Sequence, residues 1–93
     1  MDEPTGNSGF EWDQGNSEKN WVRHRVSQAE CEQFFRNEPV VAASIIVSAE
    51  QRYFALGVTD SGGRLSIVYT VRGSLIRVIS ARDMSRRERR ELL

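Results

Sequence analysis

Cysteine occurs once in these 93 residues. A lone Cys31 excludes an internal disulfide and the multi-cysteine zinc patterns, and fits a small buried thiol in a reducing compartment. No apolar run approaches the roughly 20 residues of a membrane span, and no N-terminal apolar stretch resembles a secretory signal. The chain is therefore expected in the cytoplasm, without membrane contact. Repeats and linkers are also lacking, so residues 10–93 read as a single domain behind a flexible polar segment, 1–9. No glycine-rich phosphate loop, metal-ligand cluster or serine or cysteine nucleophile arrangement is legible, and no metal or cofactor is expected. Lysine is almost absent: of thirteen basic residues only Lys19 is not arginine. Histidine appears once, at His24.

The zero net charge conceals a polarised chain. Residues 1–50 carry nine acids and four bases, and residues 51–93 carry four acids and nine bases. The basic half suits a polyanion, and its guanidinium forks grip phosphate or carboxylate through two parallel hydrogen bonds. A genome rich in GC codons would favour arginine without any such role.

Local signals predict the element order. Phe10-Glu11-Trp12-Asp13 reads as a short strand ending at Asp13, a helix N-cap. A helix over Gln14 to His24 follows, with Asn16, Asn20 and His24 on one stripe. Ser27 and Glu30 form a capping box, and Val26 can staple against Cys31. Cys31, Phe34 and Phe35 give the second helix an inward face, and it ends before Pro39. Val40 to Val47 and Arg52 to Val58 read as strands, then Asp60-Ser61-Gly62-Gly63 turns the chain. Ser85 and Glu88 form another capping box, opening a short helix that carries Arg86, Arg87, Arg89 and Arg90. That cluster is most simply a solvated helix face, and secondly a surface that tracks RNA or docks a partner. The order implies an α+β fold with a largely antiparallel twisted sheet, two N-terminal helices and a short C-terminal one.

The segment Arg64 to Arg82 is the most informative. Leu65, Ile67, Tyr69 and Val71 alternate with Arg64, Ser66, Thr70 and Arg72, so one face is buried and one is left for use. Gly73-Ser74 suits a two-residue turn, which sets Thr70 opposite Arg77, and Tyr69 and Val71 opposite Val78 and Ile76. Arg72, Arg77 and the Thr70 hydroxyl then share a patch on the non-core face. Arginine in a strand is costly to bury unless paired, so the patch is expected to be exposed and Arg77→Ala to leave the fold intact.

Phe10-Glu11-Trp12-Asp13, Asn20, Arg23-His24 before Val26-Ser27, Val68 to Gly73, Ile76 to Arg82 and Arg86-Arg87-Glu88 together resemble the BrnT toxins of bacterial type II toxin–antitoxin systems. The resemblance runs from Phe10 to Leu93. It implies a RelE-like fold and a ribonuclease that stops translation. It also implies neutralisation by a BrnA-like antitoxin with a ribbon-helix-helix DNA-binding domain, in a 2:2 heterotetramer. Operator DNA would be reached only through that antitoxin. Three positions depart from the family's pattern. Arg23-His24-Arg25 stands for the family's Lys-His-Gly, which removes a proton-carrying lysine and a glycine suited to a left-handed helix stop. Gln51-Arg52 stands for Glu-Arg.

Metal-independent RNA cleavage needs a proton acceptor for the 2′-hydroxyl, cations for the extra negative charge and an acid for the leaving 5′-oxygen. His24 has the side chain suited to both proton tasks, and equally suits a helix-end histidine interacting with the dipole. Arg72 and Arg77 fit charge stabilisation, or else carboxylate pairing within the chain or with an antitoxin. Arg23 stands in for the family's lysine as a phosphate clamp. These four form the expected catalytic set. Trp12, Arg64, Thr70 and Arg82 form the expected RNA-binding set; Trp12 could stack on a base or simply pack. Trp21 is read as structural, and Tyr69 as a packed ring. An alternative to the enzyme is an interaction module weakened by the Lys and Gly replacements, acting mainly with a DNA-binding antitoxin.

Overall fold

The computed structural model describes residues 9–92. The expected flexible segment lies outside that range apart from Gly9, which begins the first strand. The elements are β1 (Gly9–Phe10), α1 (Gln14–His24), α2 (Gln28–Arg36), β2 (Val40–Val47), β3 (Glu50–Val58), β4 (Arg64–Arg72), β5 (Leu75–Asp83) and α3 (Arg86–Leu92). The sheet order is β1-β5-β4-β3-β2. β2 to β5 form an antiparallel meander, and only β1 pairs parallel, with β5. The expected α+β class holds. The first strand is shorter than Phe10 to Asp13, because the chain leaves the sheet once the Glu11 amide has bonded the Ile76 carbonyl.

The caps form as the residue types dictate. Asp13 and Asn16 close a reciprocal capping box on α1, and Ser27 and Glu30 one on α2. At the third helix Ser85 and Glu88 exchange the same pair of bonds. The helix stop at Arg25 is the departure noted above. Arg25 takes the left-handed conformation that the family's glycine would take, with φ 58°, and its amide bonds the Asn20 and Trp21 carbonyls. Its guanidinium lies 5.3 Å from the Trp21 ring centre. Trp21 is 48 % exposed, so it packs on the surface rather than in the core.

One face of the sheet carries the core. Phe34, Phe35 and Cys31 of α2 pack with Val26 on Ala55, Leu65, Ile67, Tyr69, Ile76 and Val78. Phe34 and Phe35 are fully shielded, so truncating either to Ala would cost roughly 3–5 kcal/mol. Gly57 permits this approach, since a Cβ there would lie 2.9 Å from the Phe34 ring. Burial pushes the Tyr69 hydroxyl up to about 12. β2 forms the outer edge, leaving Val40, Val41, Ile45 and Ile46 exposed.

α1 runs along the opposite edge and replaces a neighbouring strand. Asn16 Nδ2 donates to the Val78 carbonyl at 3.0 Å, and the Ala81 amide donates to Asn20 Oδ1 at 2.9 Å. Two asparagines one helical turn apart thus satisfy backbone groups that β1 is too short to reach.

Candidate functional site

The second face of the sheet carries the arginines. Arg52, Thr70 and Arg77 stand in one cross-strand row, with Arg72 opposite Leu75 at the hairpin. The register across Gly73-Ser74 is the expected one, and Gly73 supplies the positive φ, 61°. The patch is nevertheless not bare. Arg77 is only 19 % exposed and pairs with Asp13 at 3.0 Å and Glu11 at 3.6 Å. Arg72, 53 % exposed, pairs with Glu50 at 3.2 Å and with Glu11 at 3.6 Å. Arg52 bonds Glu50 through Nε at 3.1 Å. Asp13, Arg77, Glu11, Arg72, Glu50 and Arg52 therefore form a continuous ladder of alternating charge.

This ladder corrects the expectation of a bare, freely removable Arg77 and matches the alternative of carboxylate pairing within the chain. Its guanidinium helps hold the start of α1 and neutralises Glu11, whose Oε1 is shut off from solvent without a hydrogen-bond donor. The two guanidinium nitrogens at 3.6 Å lie within ion-pair reach of that oxygen but beyond hydrogen-bond reach. Removing Arg77 would strip a buried carboxylate oxygen of one of its two cations, a destabilising change. Thr70 is also altered from expectation. It is 1 % exposed, and its Oγ1 donates to the Gln51 carbonyl at 2.7 Å, so the hydroxyl serves the sheet.

Alternation in Phe10-Glu11-Trp12-Asp13 explains how the acids reach the arginines. Phe10 and Trp12 pack toward the core, while Glu11 and Asp13 fall on the arginine side. Hydrogen bonding to the Asn16 amide, reinforced by Arg77, holds the Asp13 carboxyl below its usual range. Arg52 and then Arg72 do the same for Glu50. Trp12 donates Nε1 to Glu32 at 2.9 Å and stacks on Phe10, so its ring joins β1 to α2 instead of offering a free face.

Between this row and α1 lies an open cleft of about 240 Å³, lined by Gly15, Asn16, Lys19, Arg52, Arg72, Arg77, Val78 and Ile79. Three guanidiniums come from the sheet, and one ammonium comes from the helix. Lys19 and Arg52 were in neither the expected catalytic set nor the expected RNA-binding set. Their signal lay in spacing and register: Lys19 falls three residues after Asn16, and Arg52 lies across from Thr70. Lys19 also lines a shallow groove of about 470 Å³ on the outer side of α1 with Gln14, Gly15, Glu18, Val22 and Arg23. Arg23 thus adjoins the cleft without lining it.

His24 stands apart. Asp13 fixes the start of α1 against Arg77, and His24 is the last of its 11 residues, about 15 Å along the helix axis. It is exposed there, beyond the asparagines that precede it on the stripe. Arg64 and Arg82 are distant as well. Arg64 begins β4 and Arg72 ends it, a separation of about 26 Å. Arg82 is clamped by Glu88 through two bonds of 2.9 and 2.8 Å, which ties α3 to the sheet. The structure therefore groups Arg72, Arg77 and Thr70, sets Arg23 nearby, and separates His24, Arg64 and Arg82. Among the described residues, no three His, Cys, Asp or Glu side chains gather to hold a metal ion.

The family described as "Ribonuclease toxin, BrnT, of type II toxin-antitoxin system" matches residues 12–88. The chain belongs to the BrnT family. A solved relative is the Brucella abortus ribonuclease toxin BrnT, with a TM-score of 0.59 at 23 % identity, covering 84 % of this chain and 97 % of that one. At that identity the likeness speaks for the BrnT fold. No curated protein sequence matches the chain. As a BrnT-family member it is the toxin component of a type II toxin–antitoxin system, and an antitoxin partner follows from that class. No helix among the described residues is long and apolar enough to cross a membrane.

Proposed function

We propose that this BrnT-family toxin is an endoribonuclease that cuts single-stranded RNA in the cytoplasm without a metal ion, arresting translation until an antitoxin covers it. The observation that carries the reading is the cleft between α1 and the sheet, where Lys19, Arg52, Arg72 and Arg77 converge on a space of about 240 Å³. Four cations against the three carboxylates of the ladder leave a net positive charge at its mouth. A scissile phosphate entering the cleft meets preformed donors, the arrangement that stabilises a developing phosphorane. Arg72 and Arg77 hold the non-bridging oxygens, and Arg23 extends the phosphate path along the outer face of α1. The family resemblance supports a BrnA-like antitoxin with a ribbon-helix-helix domain in a 2:2 assembly, through which alone operator DNA is reached.

A second reading is a toxin chemically weakened into an interaction module. It is favoured by the ion ladder, since every sheet arginine of the cleft already holds a carboxylate of this chain, and by the distance of His24.

The deciding experiment incubates the purified chain with single-stranded RNA in excess EDTA and repeats it with Arg72→Gln. Arg72 is the most exposed member of the row, so its loss from Glu11 and Glu50 costs less than that of Arg77, and thermal unfolding of the variant verifies that it is folded before cleavage is compared. Cleavage by the wild type and a loss of about 10²–10³-fold in the variant are expected. RNA left intact by a folded wild-type protein would favour the interaction module.

A further inference from the structure

Among the side chains that line the cleft, only one can surrender a proton. Guanidinium stays charged at any accessible pH, and the Asn16 amide is committed to the Val78 and Glu11 carbonyls. Glu11, Asp13 and Glu50 pair with the arginines and do not line the cleft. His24 lies at the other end of α1. What remains is Lys19, the single lysine in a chain with twelve arginines. Its Nζ reaches from the helix to 3.4 Å from the Ile79 carbonyl of β5, the strand that carries Arg77, so the ammonium lies in the same cleft as the guanidiniums.

We propose that Lys19 is the general acid of the cleft, donating its proton to the 5′-oxygen that leaves phosphorus. The proposal rests on the ribonuclease reading and assigns the step that reading left without a residue. The ribose 2′-oxygen bonds to phosphorus as the bond from phosphorus to the 5′-oxygen breaks. The 2′-hydroxyl proton passes to solvent water, and the Lys19 ammonium proton passes to the departing oxygen. The products are a 2′,3′-cyclic phosphate and a free 5′-hydroxyl, and the amine is reprotonated from solvent. The arrangement also explains how the chain can tolerate Arg23 where the family has lysine. Lys19 sits four residues earlier, one helical turn away on the same groove.

Lys19→Arg provides the test, because it keeps the charge and the reach while removing the transferable proton. Two substrates are compared: ordinary RNA, and the same RNA with sulfur replacing the 5′-oxygen at the scissile bond. A thiolate leaves without an acid. The expected result is a fall of about 10²–10⁴-fold on ordinary RNA, near wild-type cleavage of the sulfur substrate, and unchanged affinity for an uncleavable 2′-deoxy strand. Equal slowing on both substrates would reduce Lys19 to a phosphate holder and overturn the proposal. Unchanged cleavage of ordinary RNA would overturn it too. A folded wild-type protein that cleaves neither substrate would instead refute the ribonuclease reading, and this assignment with it.

Discussion

Asn20→Ala probes the edge-covering role of α1. Asn20 is 2 % exposed, accepts from the Ala81 amide at 2.9 Å and donates to the Asn16 carbonyl at 2.9 Å. Truncation leaves the Ala81 N–H buried without an acceptor, a cost of about 1–3 kcal/mol, and forfeits a second bond worth about 1 kcal/mol. Alanine's better helix propensity returns roughly 0.5 kcal/mol. The net loss is about 2–3 kcal/mol, which in a domain of this size lowers the melting temperature by about 10–20 °C. Thermal unfolding followed by circular dichroism measures the first quantity. Amide hydrogen exchange gives a sharper local readout, since Ala81 should lose protection more than its neighbours on β5. A melting temperature within about 3 °C of wild type, with Ala81 still protected, would refute the view that α1 serves as a substitute strand.

Three further outcomes follow from the geometry. Arg25 holds φ 58°, so Arg25→Gly should be more stable than Arg25→Ala by about 1 kcal/mol, because both lose the Trp21 contact but only alanine keeps the left-handed strain; chemical denaturation of the pair measures the difference. Asp13, Glu50 and Glu88 have carboxyls held below their usual range by hydrogen bonds and arginine partners, so the folded state binds fewer protons than the unfolded one. Their stabilisation is fully present above the ordinary carboxylate values, 4.5 for the two glutamates and 3.8 for Asp13, and is lost as pH falls below them, so their contribution to the melting temperature should be flat from neutrality to about 4.5 and drop beneath it. Cys31 is buried and its thiol is pushed up to about 12 by burial, so alkylating reagents at neutral pH should label it only as fast as the protein opens; rapid labelling of the folded protein would show that α2 is poorly seated.

Short-range chemistry was readable, and long-range pairing was not. Ser27 with Glu30 and Ser85 with Glu88 announce their helices because a cap needs residues only three apart. The Arg64 to Arg82 hairpin declared its register because side-chain parity and a two-residue turn leave few alternatives. Arg77 shows the limit. Its partner Asp13 lies far away in sequence, and nothing in the strand indicates that the N-terminal segment folds across it. The same segment displaced the expected site. Asn16 and Asn20 share a stripe with His24, yet their amides bond backbone groups, and Lys19 beside them supplies the helix's charge to the cleft. The apolar run at Val40 to Val47 signals a strand, but composition alone does not reveal that it lies at an edge with Ile46 70 % exposed.

That edge gives the molecule a direction of growth. With β5 sealed by β1 and by the asparagines of α1, β2 is the one long margin among the described residues where another backbone can attach. Two identical chains joined antiparallel there are related by a two-fold axis, and each uses up its open margin in the act. Such an association closes at two copies, and the described residues offer no second long margin through which the sheet could extend into a filament.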